Sequence, residues 1–564
     1  MGRVRDLIQN EMKKSRKGIL FIVLIAFVVP TLFAGANKSH DSAVTRNLAI
    51  FNAIVKELEM NYVDSIRTDE TFKTAIAAML MGIDPYTEYY TPEEQETFQA
   101  MTSGEYGGIG SYIMERNGWT YISGPYEGSP AAKAGLKSGD KILQIDTIDL
   151  QGKRSDEVSA LLKGQPETVV QVKVQRPFAK DSILIFDITR KKLQLPSVAY
   201  YGVTRGNTGY IKLTSFMERS ADEVKTALEE FKNNPEVKNI ILDLRGNGGG
   251  LLESAVEIVG FFVPKGTEVL RTRGKDKSSE KIYKTTKNPI FPNIPVSILI
   301  DGASASASEI TAGAMQDLDR AVIIGSRSFG KGLVQSTRLL PYEGLLKVTV
   351  AKYYIPSGRL IQALDYSHRN PDGTVARTPD SLTNVYKTAH GREVRDGGGL
   401  IPDIEIDWGK ANRLVYNIVR DFWAFDFATK FVSENETIAS PYEFEITDEI
   451  YDAFKKSIDS EKLKYDKVCE DMIKQLRETA ELEGYMNDET RMRIDELAKL
   501  LTHNLDKDLD THRQEISRYL ASEILTRYYY NKGEVIYDLK YDNAVDSAVS
   551  IMSNEEKLKR LLNH

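Results

Sequence analysis

The sequence predicts an α/β fold with an inserted β-rich domain and with helical regions near the N- and C-termini. Between residues 208 and 325 the patterns of β-strand and α-helix alternate, which is typical of α/β proteins. Between residues 97 and 193, short β-like runs separated by glycines surround one predicted helix. Beyond residue 409 the chain becomes charged and helical. The 564 residues leave room for several domains, at about 150 residues per domain.

Composition and charge narrow the range of functions. Hydrophobic residues make up 41% of the chain and charged residues 27%, as in folded globular proteins. The formal net charge of −7 gives no basic surface for nucleic acid, so we expect protein partners. The single cysteine, Cys469, excludes an intramolecular disulfide and a cysteine-based zinc site.

The N-terminus has the features of a membrane-targeting segment. An apolar run covers residues 19–34, and basic residues precede it. These basic residues are Arg3, Arg5, Lys13, Lys14, Arg16 and Lys17. We predict that residues 1–36 form a signal anchor or, given the cleavage-site-like Ala34-Gly35-Ala36, a cleaved signal peptide; the anchor is favoured. The positive-inside rule then predicts a periplasmic or otherwise extracytoplasmic protein, anchored in the inner membrane by residues 18–34.

The next segment, residues 37–96, is predicted to be a small helical module. Apolar residues recur there at helical spacing. They include Leu48, Phe51, Ile54, Val55 and Leu58. Such a module offers a surface for pairing subunits, so we expect a homo-oligomer.

Residues 97–193 are predicted to form a compact β-rich domain. Glycines at positions 104, 107, 108 and 110 open it, and β-like runs follow at 119–123, 141–145 and 168–174. A helix is predicted over residues 155–162.

Residues 194–408 are predicted to form the α/β core. Strands are expected at 208–213, 239–244, 295–300 and 321–325, with helices at 221–233, 251–262 and 306–316. Two glycine-rich loops follow strand ends, where functional groups gather in open sheets. Residues 409–564 are predicted to form a C-terminal helical domain, in which we find no catalytic motif.

The first chemical motif is a serine at a turn from strand to helix. The strand at 296–300 is followed by Asp301-Gly302-Ala303, by the serine-rich run at 304–309 and by an apolar helix. On such a turn a hydroxyl is exposed beside the unpaired first N–H groups of the helix, which suits an oxyanion. The segment from Ser306 to Glu309 also matches the capping box S-x-x-E, so a purely structural role stays open.

The second motif is the loop at 325–332, which contains Lys331 and permits three interpretations. It nearly matches a phosphate-binding loop, but Gly332 replaces the hydroxyl that would hold magnesium. It contains Ser328-x-x-Lys331, as in penicillin-binding proteins, but the partner motifs are missing. In the third interpretation Lys331 is a general base that burial keeps neutral.

The third motif is the glycine turn at 246–250, which follows the apolar strand that ends near Leu244. Residues without side chains expose backbone N–H groups, so the turn can donate a hydrogen bond to an oxyanion, or it can be a tight turn alone.

None of the six histidines lies in a sequence setting typical of a catalytic triad or of an H-E-x-x-H zinc site. His368 and His390, which lie in the core region, remain as fallback candidates for the base.

Together these motifs resemble the tail-specific, or carboxyl-terminal processing, serine peptidase family. The resemblance rests on Ser304-Ala-Ser306-Ala-Ser308-Glu309-Ile310 and on Gly330-Lys331-Gly332-Leu333-Val334-Gln335. It implies that Ser306 is the nucleophile, that Lys331, 25 residues later, is the base, and that Gln335 orients the lysine. It also implies an oxyanion hole formed by Ala307 N–H with Gly250, or less favourably Gly249, and a crotonase-like core that needs no cofactor or metal.

The resemblance extends to the β-rich domain, which is similar to a PDZ domain. Gly107-Gly108-Ile109-Gly110 is similar to a PDZ carboxylate-binding loop, and the segment at 128–143 also resembles this fold. It implies capture of protein or peptide substrates by their C-termini, with an adaptor protein as a further possible partner. Two rivals stay open: a catalytically silent PDZ scaffold and a histidine-dependent hydrolase.

Overall fold

The computed structural model of the protein describes residues 38–409, 412–463 and 467–563. The predicted anchor or signal peptide at 1–36 lies outside these ranges. None of the helices within them has the length and apolar character needed to cross a bilayer. The chain divides into two compact units, with the boundary between Gly82 and Ile83.

In the first unit, the described residues form two helices, α1 (Lys38–Asn61) and α2 (Thr68–Met81). The helical spacing of apolar residues predicted this secondary structure. Phe51 and Phe72 meet edge to face, with ring centroids 5.9 Å apart. Leu48 and Ile54 of α1 stay exposed.

The second unit begins with β1 (Glu88–Tyr90) and α3 (Pro92–Ser103), and the β-rich domain follows. Its elements are β2 (Glu105–Gly108), β3 (Ser111–Arg116), β4 (Trp119–Pro125), α4 (Pro130–Ala134), β5 (Lys141–Ile145), β6 (Ile148–Asp149), α5 (Ser155–Leu162), β7 (Val169–Gln175), β8 (Ile183–Thr189) and β9 (Lys191–Gln194). The main sheet has the order β3-β4-β5-β7-β8, so β3 is an edge strand. Helix α5 packs beside β3. Ile122, Ile142 and Val172 are fully buried in this domain's core.

The α/β core follows in chain order. Its elements are β10 (Val198–Thr204), β11 (Thr208–Leu213), α6 (Ser220–Asn233), β12 (Asn239–Asp243), α7 (Leu252–Gly260), β13 (Glu268–Gly274), β14 (Lys281–Lys284), β15 (Val296–Ile300), α8 (Ala307–Asp317), β16 (Val322–Gly325), β17 (Leu333–Leu339), β18 (Leu345–Tyr354), β19 (Leu364–Arg369), β20 (Val375–Arg377), β21 (Val385–Lys387), β22 (Glu393–Arg395) and β23 (Ile404–Glu405). The main sheet has the order β10-β11-β12-β15-β16-β23 and is parallel from β11 onward. The carboxyl ends of β12, β15 and β16 therefore lie side by side, and the three predicted motifs follow them.

A second sheet brings distant segments of the chain together. Strand β18 pairs with β17 on one side and with β1 and β13 on the other, and β14 extends the sheet beyond β13. The loop that carries Lys331 runs directly into β17. The sequence did not predict this sheet.

The C-terminal region is helical, as predicted. Its helices are α9 (Arg413–Arg420), α10 (Trp423–Glu434), α11 (Asp448–Ser457), α12 (Val468–Leu482), α13 (Asp488–Leu501), α14 (Leu505–Thr511), α15 (Arg513–Asp538), α16 (Asn543–Met552) and α17 (Glu555–Leu562). Helices α16 and α17 pack on one face of the main sheet, where Val545 and Ile551 join Ile241 and Leu299 in one cluster. Helices α6, α7 and α8 cover the other face. This arrangement buries both faces, as a parallel sheet requires.

Candidate active site

Ser306 lies on a strained turn between β15 and α8. Its backbone has φ 54° and ψ −113°, a conformation that non-glycine residues rarely adopt. Hydrogen bonds hold the turn: the Ala305 N–H donates to the Asn247 carbonyl at 3.1 Å, and the Ile310 N–H donates to the Ser306 carbonyl at 2.8 Å. Such strain costs about 1–3 kcal/mol and is concentrated at functional sites.

The structure distinguishes Ser306 from the two other serines of the run. The Ser304 hydroxyl is buried and donates to the Leu244 carbonyl at 2.8 Å. The Ser308 hydroxyl is also buried and donates to the Asn247 carbonyl at 2.8 Å. Ser306 remains partly exposed. Of the three hydroxyl groups, that of Ser306 is therefore the one presented to a reactant.

The loop that carries Lys331 is incompatible with two of the three interpretations. A phosphate-binding loop leads into a helix, whereas strand β17 follows Gly332 here. In a penicillin-binding arrangement Ser328 would be a free nucleophile, but this buried hydroxyl donates to a carboxylate oxygen of Glu309 at 2.5 Å. Lys331 itself remains the candidate functional group.

The buried carboxylate of Glu309 connects the serine turn with the lysine loop. Its Oε2 atom accepts the backbone N–H groups of Ser306 and Lys331, each at 2.9 Å. Its Oε1 atom accepts the Gly330 N–H at 2.7 Å and the Ser328 hydroxyl. Burial raises the pKa of Glu309 to about 7, although these four hydrogen bonds favour the ionised form. One side chain thus fixes the backbone of both candidate catalytic residues.

The Lys331 side chain is partly buried, and its amine lies beside an aromatic ring. Burial lowers the pKa of Lys331 to about 8, and the nearby positive charge of Lys347 acts in the same direction. Its Nζ lies 4.2 Å from the centroid of the Tyr86 ring. Within residues 38–409, 412–463 and 467–563, no carboxylate lies within ion-pair distance of this amine. A substantial fraction of Lys331 is therefore neutral near pH 8.

Gln335 lies on β17 and binds a neighbouring strand. Its Nε2 donates to Thr349 Oγ1 on β18 at 3.1 Å. In this arrangement the Gln335 amide holds the two strands together, and its orienting role toward Lys331 stays a prediction.

The glycine turn at 246–250 passes directly beside Ser306. A Cβ atom on Gly249 would lie 2.8 Å from Ser306 Cβ and 2.9 Å from Ala307 N, so glycine is required there. The Gly249 N–H donates to Asn247 Oδ1 at 2.9 Å. Ala307 is the first residue of α8, where an N–H has no intrahelical acceptor. Because the Gly249 N–H is already engaged, Gly250 is the better candidate of the two predicted glycines.

The predicted carboxylate-binding loop leads into the free edge of the β-rich domain. Gly107 and Gly108 end β2, Ile109 is buried, and Gly110 has φ 76° just before β3. The Ile109 carbonyl accepts the Ala131 N–H at 2.8 Å, which fixes the loop. An extended peptide can therefore add to β3 with its terminus at this loop.

The two fallback histidines are engaged elsewhere. His368 is exposed, and its Nδ1 lies 2.7 Å from Asp365 Oδ2. His390 Nδ1 lies 3.3 Å from the Leu562 carbonyl. None of the hydrogen bonds given above for Ser306 and Lys331 involves a histidine.

Sequence reasoning missed two side chains at this site. Glu309 was interpreted only as a helix cap, although a carboxylate three residues after the serine was the available signal. Tyr86 lies far from the motifs in sequence, and no pattern pointed to it.

Comparison with known proteins identifies three regions of the chain. A profile described as "Peptidase family S41" matches residues 207–375, and one described as "PDZ domain" matches residues 121–176. A third, "Probable PDZ-protease, C-terminal helical domain", matches residues 414–552. The predicted fold class is confirmed: an α/β peptidase core, an inserted PDZ domain and a helical C-terminal region.

Individual relatives extend over most of the chain. It is 33% identical over 352 residues to the carboxy-terminal-processing protease of Bartonella bacilliformis, which covers 61% of this chain and 80% of the relative. It is 30% identical over 507 residues to the "Probable CtpA-like serine protease" of Staphylococcus aureus strain COL, which covers 87% of this chain and 90% of the relative. Among solved structures, the photosystem II D1 C-terminal processing protease is 27% identical and covers 63% of this chain and 86% of that one, with a TM-score of 0.35.

Replacing Glu309 by glutamine tests whether its carboxylate holds the two loops. In Glu309→Gln an amide NH₂ faces backbone donors in a buried site, so we expect the free energy of unfolding to fall by about 2 kcal/mol. We expect the rate of Ser306 labelling by a fluorophosphonate probe to fall at least about tenfold. Chemical denaturation and labelling kinetics measure these effects, with Glu253→Gln, an exposed position on α7, as control. Wild-type stability and labelling in Glu309→Gln would contradict this role.

Proposed function

Because this chain belongs to peptidase family S41, we propose that it is a carboxy-terminal-processing endopeptidase in which Ser306 is the nucleophile and Lys331 the general base. One observation carries this proposal: a strained, accessible serine and a lysine of lowered pKa are fixed by a single buried carboxylate. A serine-type peptidase needs a hydroxyl activated by an adjacent base, and these two residues can supply both.

The proposed reaction is acyl transfer through a covalent intermediate. Neutral Lys331 accepts the Ser306 proton as the serine oxygen attacks a backbone carbonyl, and the resulting ammonium protonates the leaving amine. Water then attacks the acyl-enzyme and gives a proton to Lys331, which passes it to the Ser306 oxygen as the ester bond breaks and the acyl group leaves as a carboxylic acid. The N–H groups of Ala307 and Gly250 are the proposed oxyanion donors, since the Gly249 N–H binds Asn247. Gln335 is proposed to orient the lysine once a substrate is bound.

The proposed substrates are exported proteins with accessible C-terminal tails. The tail adds to the β3 edge, and the loop from Gly107 to Gly110 binds its terminal carboxylate.

The proposed export of the protein is supported by the basic and apolar N-terminal sequence, which favours an extracytoplasmic location and an inner-membrane anchor at 18–34. The exposed apolar residues of α1 favour a homo-oligomer. We further propose that tail binding by the PDZ domain controls access to Ser306.

Removing either proposed catalytic residue separates a peptidase from a silent PDZ scaffold. We expect Ser306→Ala and Lys331→Ala each to lower kcat/KM for a protein substrate by about a thousandfold or more, because nucleophile and base act as a unit. Binding of a fluorescent tail peptide should stay unchanged. Ser553→Ala and Lys265→Ala make the same two substitutions at exposed positions and serve as matched controls. If Ser306→Ala and Lys331→Ala both cleave the substrate at the wild-type rate, the α/β core is not the catalyst.

The pH dependence of cleavage identifies the base. Only neutral Lys331 can accept a proton, so kcat/KM should rise with pH and reach half of its plateau near pH 8, where burial places the Lys331 pKa. A histidine base would instead give a midpoint at about pH 6.5. Initial rates from pH 6 to pH 10 check this, with His368→Asn and His390→Asn expected to leave the midpoint unchanged. A midpoint that disappears in either histidine variant would exclude the lysine mechanism.

Two glycines of the PDZ domain provide a matched test of tail binding. Gly110 and Gly118 have φ 76° and 70°, so alanine at either site costs about 1 kcal/mol of backbone strain. A Cβ on Gly110 would lie 2.6 Å from Ser129 Cβ, whereas one on Gly118 meets no atom within 4 Å. We expect Gly110→Ala to weaken binding of a tail peptide at least about tenfold, measured by fluorescence anisotropy. Gly118→Ala should bind normally; equal affinity of both variants would remove this loop from recognition.

A further inference from the structure

The segment just before β1 places an aromatic ring over the proposed base. The Lys331 Nζ lies 4.2 Å from the centroid of Tyr86, and this ring is half-buried. In sequence the two residues are far apart, and β1 reaches the site by pairing with β18. The ring therefore forms part of the wall that separates the amine from water.

The backbone on either side of Tyr86 is held by a buried aspartate. Asp84 Oδ1 accepts the N–H groups of Tyr86 and Thr87, each at 2.8 Å. The Thr87 hydroxyl donates to Asp84 Oδ2 at 3.2 Å, and the Thr349 N–H of β18 donates to the Thr87 hydroxyl at 3.3 Å. Asp84 and Thr87 are both buried. The ring is thus attached to the same sheet that carries Gln335.

The ring is also held from its outer side. The hydroxyl oxygens of Tyr86 and Tyr366 lie 3.3 Å apart, and the two rings meet edge to face with centroids 5.8 Å apart. Tyr366 lies on β19, which follows Lys331 in the chain. The segment of Tyr86 precedes the PDZ domain in the chain and that of Tyr366 follows it, and the two segments therefore meet at the ring that lies over the lysine.

We propose that Tyr86 is a positioning residue for Lys331, whose ring keeps water from the amine and fixes it for proton transfer. This inference rests on the proposed function of Lys331. The ring acts in two opposed ways: its π face favours the ammonium, while exclusion of water favours the neutral amine. Because no carboxylate in the described part of the chain forms an ion pair with Lys331 to offset the lost hydration, the second effect prevails.

Other charged groups around the lysine do not replace the ring. The groups that face Lys331 electrostatically are Lys347, Glu309, Glu88 and Asp84. Glu88 is paired with Lys347 at 2.6 Å, and the Glu309 and Asp84 oxygens accept hydrogen bonds from backbone N–H groups. The three carboxylates all raise the pKa of Lys331, so burial provides most of the lowering.

Three substitutions of Tyr86 separate the two effects of the ring. Tyr86→Phe keeps the ring and should leave the midpoint of the kcat/KM profile unchanged. Tyr86→Leu keeps an apolar cover but loses the π face, so its midpoint should stay or move to lower pH. Tyr86→Ala admits water, so its midpoint should rise by about one pH unit, with about a tenfold loss of kcat/KM at pH 7 that is recovered above the new midpoint.

A second measurement reads the lysine without catalysis. In a Ser306→Ala background, the rate at which acetic anhydride modifies Lys331, followed by peptide mass spectrometry from pH 6 to pH 11, reports when its amine becomes neutral. We expect the same upward shift for Tyr86→Ala and no upward shift for Tyr86→Phe or Tyr86→Leu. A shift here without any effect on cleavage would support the role of Tyr86 while refuting Lys331 as the base. An unchanged midpoint in Tyr86→Ala would overturn the inference, and an equal loss of kcat/KM at every pH would reduce Tyr86 to a structural role.

Discussion

The buried carboxylate of Glu309 is the interaction on which the site depends. Its two oxygens receive four hydrogen bonds, from the serine turn on one side and the lysine loop on the other. Neither segment has a regular structure that could fix it independently, since Ser306 sits at φ 54° and Gly330 at φ 91°. Burying a carboxylate is costly, and its four donors offset that cost. The relative position of the two candidate catalytic residues is therefore set by a residue that need not touch a substrate.

The C-terminal helices have a structural role that connects all parts of the second unit. Helices α16 and α17 cover the face of the parallel sheet that α6, α7 and α8 leave open. Helix α10 also meets the PDZ domain, where Arg116 forms a bidentate ion pair with Asp426 at 2.7 and 2.8 Å. Lys532 of α15 pairs with Glu127 at 2.8 Å. The same helical region thus stabilises the catalytic core and holds the PDZ domain, so a movement of the PDZ domain would have to break these contacts.

The sequence predicted those parts of the fold whose signals are local. Strands β11, β12 and β15 are short, mostly apolar runs, because they are buried on both faces of a parallel sheet. The sheet around β18 was missed, since its strands are partly exposed and pair across long stretches of chain. The choice of Ser306 relied on a family resemblance, whereas burial of the Ser304 and Ser308 hydroxyls supports it physically. The contacts of Glu309 and Tyr86 depend on tertiary structure, which no local pattern encodes.

The geometry explains how Lys331 can have a lowered pKa although its backbone binds a carboxylate. An ion pair with Glu309 would stabilise the ammonium and make Lys331 a poorer base. Both Glu309 oxygens are occupied by other donors, and the one that Lys331 contributes is its backbone N–H. The carboxylate therefore positions the lysine through its main chain and leaves the amine beside the Tyr86 ring. The backbone N–H of Lys331 thus fixes its position, while its amine stays outside an ion pair, so one buried acid organises the two loops without stabilising the ammonium.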